Sequence, residues 1–565
     1  MTIVSQKFPG DWNQKEKWYG TEYRHEKITD EFMAEIKKAA SGPASARPTE
    51  LHLPHKNNFI PTKLEVEKKE VKEPALSPCL VRNDSLARTW FKKDDTFWVP
   101  KANLIISCRN PNIYSTAENA VKAWLFTELI TDVLETDFYD AELAGLQYSV
   151  TLDARGLFLA LSGYNDKLAV LLEQVLMTMR DLQIKDERFE IIKESLNRGY
   201  NNWELKQPHS QVSYNTTWLN SEHYYVVEES LAELPNITAE DVRQFKKQML
   251  SQMHIETYLH GNLHKENALK MTDMIETIMK PRVLPRPQWP TIRSLVIPPG
   301  SNYVYKKTLK DPANVNHCVE VCLYVGDKVD RLVRAKTKLF DQMSDEPAFD
   351  QLRTKEQLGY VFFSGVRSFT TIYGFNFIIQ SERTYLESRI EAFLNLFSNN
   401  LDSMSESEFK GHKRSLINEL LEKFENLDEE SESHWHQIVS GYYDFEQGQK
   451  DAEHIRALTK ADMMEFFQRY IKPGSATRAK LSVHLLAKAG KSVETDAEVN
   501  GVEGETNATG SGPIPTTDVR SFRVRLQPTQ GALPIKDLSK YEVTGSKYHK
   551  PLRSLRRLYA RNAES

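Results

Sequence analysis

The chain has 565 residues, enough at roughly 100–200 residues per domain for about three to four folding units. Its 74 lysines and arginines against 78 aspartates and glutamates leave a net charge of −4, which excludes the chain-wide basic footprint of a nucleic-acid binder. A hydrophobic content of 40% excludes global disorder, and no apolar run approaches the length of about eighteen residues that a membrane span needs. Residues 1–10 lack an apolar signal core, and Cys79, Cys108, Cys318 and Cys322 are too few to staple a chain of this size. These features predict a soluble, cytoplasmic protein that engages neither nucleic acid nor membrane.

In chain order, Ile3–Ser5 has the character of the end of a strand, and Trp18-Tyr19-Gly20-Thr21 forms an aromatic turn. Thr29–Ala40 reads as a short helix with Asp30 near its N-cap. About forty residues do not readily form a core alone. The stretch from Ser41 to Pro74 is punctuated by proline and ends in alternating charge, a linker composition. Trp90–Cys108 holds two strand-like runs around a Lys-Lys-Asp-Asp turn, and Ala117–Glu135 has the spacing of an amphipathic helix. Strands around Gln147–Leu161 precede helices at Asn165–Arg180 and Asp186–Glu204, and HIETYLHGN reads as a further strand.

The same order then recurs. Leu358-Gly359-Tyr360-Val361 opens a strand as Ala144-Gly145-Leu146-Gln147 does. SESEFKGHKRSLINELLEKF echoes DERFEIIKESLNRGYNNW, LTKADMMEFFQRYI echoes ITAEDVRQFKKQML, and KLSVHLLA echoes HIETYLHGN. Four matches in one order with slowly drifting offsets predict a duplicated α+β domain. Lys491–Thr516 is rich in Gly, Glu, Asn and Thr and reads as disordered, and Lys547–Arg561 as a basic solvated tail.

No complete catalytic constellation is visible. His254, Glu256, Tyr258 and His260 share one face of a strand, where alternate positions stand about 6–7 Å apart. Zinc needs ligands converging at about 2.0–2.3 Å, so these residues with His264 read as a strand edge entering a loop, with a zinc site as the lesser alternative. Cys318 and Cys322 lie on one strand as buried thiols, and no H-E-x-x-H or H-x-x-E-H occurs among the 15 histidines. Glu346–Gly365 stands apart. Pro347 suits the first position of a helix and Gly359 the residue past its end, giving a short helix Pro347–Leu358 with Arg353 inside and Tyr360 just beyond. An arginine fork and a tyrosine hydroxyl could together orient a peptide carbonyl and steady an oxyanion. On spacing alone the commoner reading is a surface arginine and a core-edge tyrosine.

FDQLRTKEQLGYVFFSG closely resembles the C-terminal half of the insulysin (insulin-degrading enzyme) family, inverzincin metallopeptidases. WYGTEY, LHLPHKNNFIPT, WFKKDDTFWVPKA, AELAGLQY, GYNDK, RFEIIKE, HIETYLHGN and FIIQSE match its pattern in order, from Ile3 to about Tyr541. The resemblance implies two homologous insulinase-type α/β sandwich domains, a third at 75–296 and a fourth at 297–488. Before them would come a remnant of the second domain at 1–45 and an interhalf linker at 46–74, and after them a disordered tail at 489–565. It implies that Tyr360 donates to the developing oxyanion, that Arg353 positions the substrate backbone, and that Phe349 lines the substrate wall. The family's zinc ligands and general base belong to its first domain and have no counterpart here, so no metal is expected in this chain.

The implied function is a noncatalytic half of a zinc metalloendopeptidase for small peptides, inactive alone and completed by a zinc-bearing N-terminal half or a full-length homologue. A standalone peptide-binding scaffold and a truncated gene model are the alternatives. Self-association through an exposed chamber face is a further expectation. Two departures are visible. Lys423-Phe424-Glu425-Asn426-Leu427 stands where animal members carry a lysine cluster that binds polyanions, so polyanion activation is not implied. The chain ends without a peroxisomal S-K-L-type signal.

Overall fold

The structure, a computed structural model, describes residues 2–5, 7, 10–43, 55–68, 73–488, 513–516, 519–526 and 538–543. The chain divides into two compact units, Met1–Asn58 and Phe59–Ser565. In the first, β1 (Gln14–Lys15) and β2 (Glu22–Tyr23) form a small hairpin that turns through Gly20 at a φ of +69°. The helix Asp30–Ser41 follows, started by the Thr29 hydroxyl, which accepts from the Phe32 N–H. The strand expected at Ile3–Ser5 does not form. A ladder needs a pairing partner, and both described strands of this unit pair with each other.

The second unit is built on two mixed sheets. The first contains β3 (Cys79–Asn83), β4 (Ala87–Lys93), β5 (Lys101–Arg109), β6 (Gln147–Asp153), β7 (Gly156–Tyr164) and β8 (Gln252–Gly261), with β9 (Arg282–Val283) beside β8. The second contains β10 (Asn302–Thr308), β11 (His317–Asp327), β12 (Val361–Ser368), β13 (Ile372–Ser381), β14 (Ala479–Leu486) and β15 (Ile514–Pro515). Five strands run in the order β6-β7-β5-β8-β4 in one sheet and β12-β13-β11-β14-β10 in the other. The pairing senses also agree: three antiparallel junctions, then a parallel one. The duplication read from the sequence is therefore a duplication of topology, and the fold is α+β.

Each sheet buries one face against its own helices. Helices Ala117–Asp137, Asn165–Asp181, Ala239–Ser251 and Lys265–Met279 cover the first around Leu104, Phe126 and Leu259. Helices Arg331–Ala348 and Leu386–Ser403 cover the second around Phe340, Phe375 and Phe397. The opposite faces are covered by exchange. Helix Pro208–Asn220, which the sequence reading passed over, lays Val212 and Leu219 on the second sheet, beside the buried Cys318 and Cys322. Helix Leu427–Val439 lays Trp435 and Ile438 on the first sheet, near Trp90 and Tyr258. Each module thus supplies a helix to the other.

Two expectations about connecting segments are corrected. Within the expected linker, Phe59 is buried, its ring 6.2 Å from Phe138, and Asp166 accepts from the Thr62 N–H at 2.9 Å. One large apolar side chain, with hydrogen bonds at Thr62 and Glu65, docks a segment whose average composition is polar. Within the expected disordered tail, β15 pairs with β10, and Phe522 and Leu526 are buried, Phe522 packing 5.0 Å from Tyr303. Further on, Tyr541 packs 5.5 Å from Trp90 and donates to the Tyr443 carbonyl at 2.8 Å. These are short apolar anchors in a polar surround, which composition averages away. The bulk of the Gly/Glu-rich stretch and the basic segment Lys547–Arg561 lie outside the described residues.

The exchanged face of the first sheet is polar and buried. Tyr258 is hydrogen-bonded to the His434 Nδ1 at 2.9 Å, and His260 Nδ1 to the Ser431 hydroxyl at 2.8 Å. Burial holds these imidazoles neutral: His434 is pushed down to about 4, and His260 falls well below the ordinary value, with Lys92 reinforcing both. Burial likewise takes His254 down to about 3. The unfolded chain gains protons on these groups as pH falls below 6.5, and the folded chain does not. Stability should therefore decline as pH drops from about 6.5 towards about 4. Thermal melts across that range check this; a flat melting temperature would contradict the burial of three neutral imidazoles.

Candidate functional site

The segment that carries Phe349, Arg353 and Tyr360 begins where helix Arg331–Ala348 ends. Pro347 lies inside that helix, at its last turn, rather than at the start of a new one. Proline removes an N–H and crowds the preceding turn, and the backbone from Phe349 to Lys355 continues as a wider π-helix. The expected helix Pro347–Leu358 is thus the π-helical continuation of a longer one. Nor does Gly359 supply the left-handed residue at its end; Gln357 does, with a φ of +50°.

Glycine is required at 359 for another reason. A Cβ there would stand 2.0 Å from the Gln380 carbonyl oxygen. The loop is pressed against β13, and the Gln380 side chain is itself held, accepting from the His209 N–H at 3.1 Å. Leu352 and Leu358 anchor the loop from below, buried and joined by a backbone bond of 3.2 Å. Gly359→Ala is expected to cost about 1–3 kcal/mol by overpacking against backbone that cannot retreat. Thermal unfolding measures this, and an unchanged melting temperature would mean that the loop is not held.

Glu356 ties the π-helix to the neighbouring helix. Its carboxylate accepts two bonds from the Arg389 guanidinium at 2.7 and 2.8 Å, and one from Gln351 at 2.7 Å. Burial would raise its pKa, but these donors outweigh burial and leave it lowered. What this frame presents is open to solvent: Tyr360 is 87% exposed and Phe349 42%. The Arg353 guanidinium carbon sits 4.8 Å from the Phe349 ring centre and 5.2 Å from that of Tyr360, with its Nε donating to the Tyr360 carbonyl at 3.2 Å. The two rings and one main-chain oxygen orient the fork. Among the described residues, the Arg353 Nη atoms and the Tyr360 hydroxyl have no hydrogen-bond partner. The structure thus brings together the three residues singled out in the sequence, as an aromatic–arginine–aromatic stack whose outward donors are unspent.

The histidine group resolves differently. His254, Glu256, Tyr258 and His260 do share one face, but β8 is a central strand rather than an edge, lying between β4 and β5. His254 stacks on Trp289 at 3.9 Å, His260 bonds Ser431, and His264 lies at the start of helix Lys265–Met279, 3.6 Å from Glu67. Among the described residues, no three or more His, Cys, Asp or Glu side chains converge as a metal would require. His254, His260 and His264 are thus engaged with separate partners rather than with one another.

A cluster unforeseen in the sequence lies beside it. Glu256, fully buried, accepts from Arg88 at 3.3 Å, Arg109 at 2.5 Å and Trp90 Nε1 at 3.1 Å. Burial pushes its pKa up, but the two guanidinium groups outweigh that and hold it at about 2. The available signal was a charged residue on each of three strands otherwise built for a core.

The model for the middle or third domain of peptidase M16 matches residues 1–233, and that for the C-terminal lobe domain 4 of PqqF-like PQQ synthases matches residues 339–435. The putative zinc protease mug138 of Schizosaccharomyces pombe is 37% identical over 84% of this chain and 49% of its own length. Human insulin-degrading enzyme is 36% identical over 86% of this chain and 48% of its own. Over most of its length the chain is similar to insulysin-like M16 peptidases. It spans about half the length of the curated relatives it matches. The crystal structure of pitrilysin superposes with a TM-score of 0.75 over 92% of this chain and 52% of that one, at 21% identity, which establishes the shared fold.

Proposed function

We propose that this chain is the noncatalytic half of an insulysin-like zinc metalloendopeptidase, forming substrate wall and transition-state donors for the hydrolysis of small peptides. Two zinc-protease and insulysin relatives matched over about half their length support the reading. The observation that carries it is the exposed Phe349–Arg353–Tyr360 stack, whose donors point outward unspent. Zinc, which in such enzymes polarises the scissile carbonyl and activates water, would be held by the complementary N-terminal half; among the described residues here no three candidate ligands converge.

The residues of this chain would act on the peptide directly. The Arg353 Nη groups would hold a backbone carbonyl of the substrate, their direction fixed by the two flanking rings. The Tyr360 hydroxyl would donate to the carbonyl oxygen as it gains negative charge, a bond stronger in the transition state than in the ground state. Phe349 would supply apolar wall beneath the substrate.

Cleavage of a quenched fluorogenic peptide tests this, using the purified chain with and without a zinc-bearing N-terminal half. Activity should appear only with both. Chelator-sensitive activity of this chain alone would overturn the noncatalytic assignment. Silence of the folded mixture, with peptide still bound, would favour a peptide-binding scaffold instead.

A further inference from the structure

Where the two modules meet, away from the Arg353–Tyr360 loop, lies a cavity of about 920 Å³. Arg88 and Arg109 reach it from β4 and β5, and Arg155 from the turn between β6 and β7. Arg286 comes from the connector between modules, Lys328 from the end of β11, and His436 from the exchanged helix. No aspartate or glutamate lines it.

Counter-charge does not balance this set. Glu256 neutralises part of the Arg88–Arg109 pair from beneath, and Asp153 pairs with Arg155 at 2.8 Å. Among the described residues, Arg286 and Lys328 pair with no carboxylate. Arg286 is held 5.6 Å from the Trp289 ring centre, and Lys328 lies 6.0 Å from that of Tyr442. The Arg109 Nε is buried with no hydrogen-bond partner among the described residues. Burial lowers the Lys328 pKa, and Arg334, Arg155 and Lys338 lower it further; Lys328 and Arg155 in turn add to the burial that lowers His436. Positive groups here lower one another's affinity for protons, as uncompensated charge must.

Holding half-buried cations together without counter-ions is costly, and a multivalent oxyanion would remove that cost while satisfying the open donors. Backbone from the β12–β13 turn, Ser368–Thr371, adds polar rim, and Trp289 and Pro290 add apolar wall. We propose that this seam cavity binds a compact phosphate-type oxyanion, such as a diphosphate group, clamped between Arg155 and Lys328 on one side and Arg286 and Arg109 on the other. Because contributors come from both modules and from their connector, such a ligand would fasten one module to the other. The proposal is independent of the peptidase reading.

Calorimetric titration of the full chain with inorganic pyrophosphate tests it, with thermal shift as a second readout. Binding should weaken steeply with salt. Lys328→Met should weaken it by about tenfold or more, yet raise the melting temperature of the ligand-free chain, since it removes a crowded cation. Arg286→Gln, an exposed change that leaves the fold alone, should also weaken binding severalfold. Lys423→Ala, at an exposed lysine that does not line the cavity, should leave it unchanged. Should Lys328→Met fail to fold, the Arg286 arm decides. No binding of pyrophosphate at low salt would overturn the proposal, as would binding indifferent to Lys328 and Arg286, or loss only on the Lys423 change. ATP binding much tighter than pyrophosphate would identify the source as a nucleotide rather than a free phosphate chain. An acidic peptide that binds there where pyrophosphate does not would reject the oxyanion assignment.

Discussion

Replacing Tyr360 by phenylalanine in a reconstituted two-half enzyme is expected to lower kcat by about 10²–10³ with little change in KM, the signature of losing one preorganised oxyanion donor. The structure makes this a clean experiment. Tyr360 is 87% exposed and its hydroxyl has no partner among the described residues, so its removal strands no other group. The ring that flanks Arg353 at 5.2 Å is kept. Folded stability should therefore be nearly unchanged, separating chemistry from folding. The control is Tyr139→Phe, at a tyrosine exposed to 61% in the other module. Equal losses in both variants would remove Tyr360 from the proposed role. A rise in KM alone would make it a binding contact rather than a transition-state donor.

Glu256→Gln should produce a large loss of stability, about 3–5 kcal/mol, because it leaves two buried guanidinium groups without their counter-charge. The amide retains the shape of the carboxylate, so the loss reports charge rather than a cavity. The same residue fixes a pH response. Its folded pKa of about 2 lies below the ordinary value of 4.5, so it contributes stability above pH 4.5 that is lost as pH falls towards 2. In the Gln variant that acid limb should vanish while the imidazole-dependent decline above it remains. Denaturant titrations at neutral and acid pH measure both, and a loss under about 1 kcal/mol would show the cluster to be far wetter than its burial implies.

How much of this was legible in the sequence depended on the range of each interaction. The duplicated topology could be read because each strand and helix announces itself locally and the order repeats. Arg353 and Tyr360 stand 7 residues apart, but spacing alone read them as a surface arginine and a core-edge tyrosine, and only the family resemblance singled them out. Pro347 misled, since proline opens helices more often than it sits in their last turn, and only the wider π-helical backbone shows how it is accommodated. The docked pieces around Phe522 and Tyr541 were hidden by the polar composition about them. The seam could not be read at all: Arg88 meets Glu256, and Tyr258 meets His434, across sequence separations of 168 and 176 residues. Nothing local in a strand distinguishes a charge destined for such a partner from one destined for water.

The repeat also preserves a comparison within one molecule. Gly145 and Gly359 occupy the same place before the same edge strand, and in the first module the next residue, Leu146, is completely buried. In the second module that residue is Tyr360, held out in solvent. Turning a large side chain outward forgoes the roughly 1.5–3 kcal/mol that burial of its counterpart contributes. One copy buries this position in its own hydrophobic interior; the other holds it out in solvent.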